Sequence, residues 1–271
     1  MRLRDFLTAF FLEARMAIET SSTQQGARMT EHTNKQFDAD LEGVRSQFLE
    51  MGGVVEAMIQ DAIEALANGD LSLVDKVRDR EKEVNRYEVD IDQRISYILA
   101  RHQPTAIDLR TLLAVTKMLT DMERSGDEAE KVATVARRMH DGEFRTAPMV
   151  DLRHMANRVL AMLRQSLDAF ARLDAMQAAQ VVRSDKEVDK EWKAALRQFI
   201  SFMIEDPRTI SPSIDLIFIA RALERIGDHA KNMSERVIYM VRGTDVRHTG
   251  AKNAERQARG ETESENTETT E

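Results

Sequence analysis

No cysteine occurs anywhere in the 271 residues, so neither a disulfide framework nor a thiolate metal site is available. Any metal must then be held by oxygen ligands, with histidine as the remaining option, which favours hard or borderline cations. Proline (4) and glycine (11) are scarce, and aromatic residues make up only 5% of the chain. That removes the turn punctuation and aromatic strands of a β-sandwich. With 15 methionines and 42% hydrophobic residues, an all-α protein with an aliphatic core is expected. A basic surplus is also lacking. The formal net charge of -8 excludes a general nucleic-acid binder, because affinity for a phosphate backbone needs clustered Lys and Arg. The apolar run from Phe6 to Leu12 is interrupted by Glu13 and Arg15, too early to span a bilayer or to form a signal-peptide core. A cytoplasmic location is expected, with residues 1–30 a disordered N-terminal extension. Nor is there a nucleophile beside a base, a phosphate-cradling glycine loop or a dinucleotide fingerprint, so no catalytic activity is expected.

What is present is helical periodicity, twice over. Phe37, Leu41, Val44, Phe48, Met51, Val55, Met58 and Ala62 recur in steps of four and three, the pattern of a bundle helix, which ends near Asn68-Gly69. A second helix is expected from Leu71 to Arg101, stopped by Gln103-Pro104, and a third from Ala106 to His140. Asp141-Gly142 and Pro148 mark a break. Three more helices follow: Val150 to Leu173, Met176 to Glu205, and one opened by Ser211-Pro212 that continues to Val241. The chain divides into a three-helix bundle over 31–142, another over 148–243, and a tail, 244–271. With almost no large apolar residues, the tail reads as disordered and acidic.

Each half carries the same acidic motif. Glu-Arg-x-Gly-Asp sets Glu123 with Asp127, and Glu224 with Asp228, one helical turn apart and roughly 6 Å along the axis. On the preceding helix of each half, Glu81 with Asn85 matches Asp185 with Asp189. Asn85 lies as far before Pro104 as Glu123 lies after it, and Glu81 and Asp127 are likewise equidistant. Asp185, Asp189, Glu224 and Asp228 stand almost symmetrically about Pro207. Equal distances from a hairpin turn mean equal heights in an antiparallel pair. Two oxygen-ligand clusters are therefore expected: Glu81, Asn85, Glu123 and Asp127, then Asp185, Asp189, Glu224 and Asp228. A single Glu-x-x-x-Asp on a helix is ordinarily a solvated face or an ion-pair partner; duplication opposite a second acidic row favours metal. The carboxylates follow the apolar seam by one position, which predicts sites open at the bundle surface. Mid-helix Gly126 and Gly227 suggest close approach to the backbone beside each motif. His229 is a further nitrogen candidate, although a lone helical histidine is more often exposed, and Trp192 falls in the seam as a core residue.

At these residues the chain resembles the PhoU family of bacterial phosphate-signalling regulators. Leu223-Glu-Arg-Ile-Gly-Asp-His-Ala-Lys-Asn232 is similar to that family's second signature and Met122-Glu-Arg-Ser-Gly-Asp127 to its first, supported by Gln103-Pro104, Asp108-Leu109-Arg110, and His32-Thr33 with Phe37 and Leu41. The resemblance covers about residues 30 to 242. It implies two tandem three-helix bundles related by pseudo-twofold symmetry, with metal clusters (Fe, Mn, Mg or Zn) on the acidic motifs. It also implies a homodimeric negative regulator of phosphate uptake, contacting the ATPase subunit of the phosphate ABC transporter and a phosphate-sensing histidine kinase, and reaching the membrane only through these partners. Two departures stand in the first copy: Lys131 replaces the amide of Asn232, and Asn85 replaces the acid of Asp189. Both predict a weaker first cluster. The rivals are a metal-free helical scaffold and a carboxylate-bridged iron protein. The latter would need Glu-x-x-His pairs, and no histidine here has Glu three residues before it.

Overall fold

A computed structural model describes residues 35–140 and 151–261. The expected N-terminal extension and the break around Asp141 and Pro148 lie outside the described residues. Among the described residues there are seven α-helices: α1 (Lys35–Asn68), α2 (Leu71–His102), α3 (Ala106–His140), α4 (Arg153–Arg172), α5 (Ala175–Glu205), α6 (Ile210–Arg242) and α7 (Ala251–Arg259). The boundaries follow from local chemistry. Asp70 caps α2 by accepting from the Ser72 amide at 3.0 Å, and Asp174 caps α5 by accepting from the amides of Met176 and Gln177. Gly243, at φ +76, ends α6 in the left-handed region that glycine adopts without strain.

α1 to α3 form one three-helix bundle and α4 to α6 the other. Helices α2, α3, α6 and α5 lie side by side in that order; α1 covers one face of the α2–α3 pair, α4 covers the corresponding face of α6–α5, and α1 meets α4. The core is aliphatic, as composition demanded, with Phe37, Phe48, Phe170 and Phe199 the large exceptions. Helix α7 packs along α5 and touches α6. At the centre, α3 and α6 run antiparallel, from Arg110 over the Tyr239 ring at one end to Arg138 bonded to Asp215 at the other. This seam is where the halves mirror one another.

Two boundary expectations need correction. Ser211 does not cap α6; it lies inside the helix. The helix starts at Ile210 after a short 3-10 turn, Pro207–Thr209, because the Thr209 hydroxyl turns back to the carbonyls of Phe202 and Asp206. Residues 244–261 are ordered rather than a disordered tail: α7 seats Ala254 and Ala258 against the second bundle, and Val246 is buried before it. Residues 262–271 lie outside the described residues.

Gly126 and Gly227 also occupy a different environment from the one expected. They face the core, where an added Cβ would lie 3.4 Å from Val84 Cγ1 and from Val188 Cγ1 respectively. That is ordinary contact, so a methyl group fits. Gly126→Ala and Gly227→Ala are each expected to leave thermal stability unchanged or raise it by up to about 1 kcal/mol, through recovered helix propensity. A loss of several degrees in melting temperature would show that the backbone is approached more closely than this.

Candidate functional site

Hairpin geometry brings both acidic groups together. In the first half, burial raises the Glu123 carboxyl above the usual glutamate range, and the neighbouring charges of Asp127, Glu88 and Glu81 push it further. Asn85 is exposed and donates its amide to Glu81 Oε1, so it steadies one carboxylate rather than adding another. Glu88 was missed. It follows Glu81 by two turns on the same stripe of α2 and is itself raised by burial and by Asp92 and Asp127.

In the second half, Glu224 is only 7% exposed and Asp185 likewise 7%. Glu224 is raised by burial and by Asp228, Asp189 and Asp185; Asp228 is raised by burial and by Asp185 and Asp189. All four expected residues therefore share one electrostatic neighbourhood. The site is less open than expected, because the α5–α6 pair closes around Glu224 and Asp185 and leaves Asp189 and Asp228 half-buried. Trp192 holds the position that Glu88 has in the first half. It is partly buried at the core's edge, and the Arg221 guanidinium lies over its ring at 6.0 Å.

The cations sort differently from the expectation drawn from Lys131. Its ammonium turns away from the first cluster to Glu128, at 3.0 Å. Lys231 instead enters the second cluster and bonds Asp185 Oδ2 at 2.7 Å, while Arg221 holds Glu224 Oε1. Internal cations thus compete for the second cluster, and the first is neutralised less. His229 is buried rather than exposed, and it faces the other half. Its Nδ1 lies 2.9 Å from Asp121 Oδ1, to which Asn232 also donates at 3.2 Å. Across the same seam Arg225 pairs with Glu128 at 3.0 Å.

The donor set suits a hard cation: carboxylates, one amide, no thiolate. Glu224 Oε2 is buried without a hydrogen-bond partner, as a carboxylate oxygen awaiting an ion or a proton would be. Among the described residues, however, no group of three or more His, Asp or Glu side chains is arranged around one point suitable for a metal ion. A cation at the second cluster requires Lys231 to swing off Asp185 and the carboxylates to turn inward.

Comparison with known proteins places this geometry. The PhoU domain matches residues 48–136 and again 152–237. The chain belongs to the PhoU family. The two PhoU domains contain the two Glu-Arg-x-Gly-Asp motifs, so the internal repeat is the domain repeat, and α7 falls beyond the second match. Similar relatives include the phosphate-specific transport system accessory protein PhoU homolog of Pseudomonas aeruginosa, 47% identical over 222 residues (82% of this chain, 92% of the relative). The phosphate-specific transport system accessory protein PhoU of Escherichia coli strain K12 is 40% identical over 222 residues, with the same coverage. Among solved structures, PhoU from P. aeruginosa superposes with a TM-score of 0.74, 47% identity, covering 77% of this chain and 100% of that one. The phosphate transport system regulatory protein PhoU from Streptococcus pneumoniae gives 0.71 at 25% identity, covering 78% and 99%. Among the described residues, no helix is long and apolar enough to cross a membrane.

Proposed function

We propose that the chain is a non-enzymatic, cytoplasmic negative regulator of phosphate uptake and phosphate-starvation signalling, whose two acidic clusters bind metal and shape a partner surface. The names of its relatives, accessory proteins of a phosphate-specific transport system, carry the phosphate assignment. The partners in this reading are the transporter's ATPase subunit and a phosphate-sensing histidine kinase, with the protein a homodimer. Residues Glu81, Glu88, Glu123 and Asp127, and Asp185, Asp189, Glu224 and Asp228, would hold Fe, Mn, Mg or Zn; Asn85 would orient Glu81. The bound cation supplies positive charge that lets these carboxylates stay ionised and draws α2 to α3 and α5 to α6.

Surface chemistry supports a docking role. Ile200, Ile204, Ile210, Ile214 and Phe218 are exposed along the α5–α6 hairpin, while the matching first-half positions of Ile200, Ile204 and Phe218 are Ser96, Ala100 and Lys117. Ile210 and Ile214 match the exposed Leu109 and Leu113, so the second half extends an apolar strip that the first half also begins. A metal-free scaffold is the second reading, favoured by Lys231 on Asp185, an internal counter-ion already in place.

Deleting the gene is expected to raise expression of phosphate-uptake genes in phosphate-replete medium; unchanged expression would refute the regulatory reading. Metal analysis separates the two structural readings. The purified protein should carry metal that Asp127→Ala/Asp228→Ala loses, whereas equal metal content in both proteins would favour the scaffold.

A further inference from the structure

The repeat lets one end of the α3–α6 seam be checked against the other. At the end where α6 begins, Arg138 of α3 donates to Asp215 Oδ1 at 2.5 Å, and the aspartate is only 8% exposed. Matching the halves through Glu123 and Glu224 sets Asp215 against Ala114, Arg138 against Tyr239, Ser211 against Arg110 and Val135 against Arg236. At the end where α6 finishes, the carboxylate is thus replaced by the buried methyl group of Ala114. Two guanidinium groups stand where the far end has a hydroxyl and a valine.

Neither guanidinium has a counter-ion in contact. Arg110 lies over the Tyr239 ring, 6.0 Å from its centroid, and its Nη1 occupies the space that a side chain at Gly243 would take. Arg236 stands one turn before Tyr239 on α6. Arg247, in the turn after α6, is close enough for its charge to act on both Arg236 and Tyr239. The Nε atoms of Arg110 and Arg236 are buried without a hydrogen-bond partner, which is costly for a charged donor. The carboxylates nearby are engaged elsewhere. Asp245 gives both oxygens to Arg247; Asp121, about two turns nearer the middle of the seam, bonds His229 and Asn232. Glu235 is shared with Lys231 and Arg247 and acts on Arg236 only from beyond contact. Three guanidinium groups against Asp245 and Glu235 leave this end of the seam positive.

We propose that Arg110, Arg236 and Arg247, with the Tyr239 hydroxyl, bind inorganic phosphate, the oxyanion taking the part that Asp215 plays at the other end. Guanidinium forks match the oxygens of a phosphate two at a time and supply charge-assisted donors. The Tyr239 ring is already covered by Arg110 and offers no face on which a nucleotide base could stack, which favours the bare ion. Because the three arginines come from α3, α6 and the turn that leads to α7, the ion ties the first half to the second. The inference does not depend on metal at the acidic clusters.

Equilibrium dialysis of labelled phosphate against the full chain at low ionic strength should show saturable binding of one ion per chain. Arg110→Gln/Arg236→Gln should weaken it at least about tenfold, as expected for losing charge-assisted hydrogen bonds, with circular dichroism unchanged. Ala114→Asp keeps every arginine and supplies the carboxylate found at the other end, and it should weaken binding to a similar degree. Arg138→Gln removes an equal charge from the far end and should leave the affinity within about twofold, because a distant charge is screened. No saturable binding by the unsubstituted protein up to about 10 mM phosphate would overturn the site. So would undiminished binding in a folded Arg110→Gln/Arg236→Gln or Ala114→Asp protein, or a loss in Arg138→Gln as large as in the double variant, which would mark general attraction. ATP binding at least about tenfold tighter than phosphate would overturn the assignment to the free ion.

Discussion

Phe170→Ala is expected to lower the free energy of unfolding by about 3–5 kcal/mol, the range for truncating a buried aromatic side chain. Phe170 and Phe48 are both fully buried and meet edge to face, with ring centroids 5.0 Å apart, where α4 of the second bundle crosses α1 of the first. The same junction holds the ion pair of Arg164 and Glu56 at 2.6 Å, but its side chains are 47% and 27% exposed. Such a pair is worth under about 1 kcal/mol after screening. Packing therefore decides the strength of this contact. Urea titrations of Phe48→Ala, Phe170→Ala and the double variant should give a coupling of about 0.5–1.5 kcal/mol beyond simple addition. A Phe170→Ala loss no larger than that of Arg164→Ala would disprove the ranking.

Glu235→Gln is expected to stabilise the protein at pH 8 and to do nothing at pH 4. Burial lifts this carboxyl from 4.5 to about 6 against the opposing pull of Lys231 and Arg236, and the charges of Asp245 and Asp185 lift it further; Arg247 also faces it from the segment before α7. Because the folded pKa exceeds the unfolded one, the native state binds more protons between these two values. Stability therefore falls as pH rises through that window and stays lowered above it. A shift of this size corresponds to at most about 2 kcal/mol, less whatever rim solvent screens. Glutamine removes that cost. Denaturation midpoints at the two pH values should separate the variant from the parent only at the higher one; equal gains at both would assign the effect to packing.

The six bundle helices were legible because apolar residues recur at helical spacing and because Gly69, Pro104 and Pro207 punctuate them. The acidic clusters were legible for a further reason: a hairpin turns sequence distance into height, so Glu81 could be matched with Asp127 and Asp185 with Asp228. What stayed hidden was direction and long-range partnership. Whether Lys131 or Lys231 enters a cluster depends on which flank of the helix each occupies, and one position of difference reverses the answer. His229 finds Asp121 across the seam between halves, a contact that no local spacing encodes. Helix α7 lacks large apolar residues, so its two-alanine docking face gave no periodic signal.

The seam between α3 and α6 also sets which fragments can recognise each other. Its central donors, His229, Asn232 and Arg225, come from the second half, and their acceptors, Asp121 and Glu128, from the first. Two copies of the second half placed face to face would oppose His229 with Arg225, and no carboxylate would meet either. Two copies of the first half would set Glu128 near Arg124 and find pairing without the rest of the chain. A duplicated protein of this kind has become directional along this stretch: the first half presents carboxylate acceptors for which the second half supplies the donors.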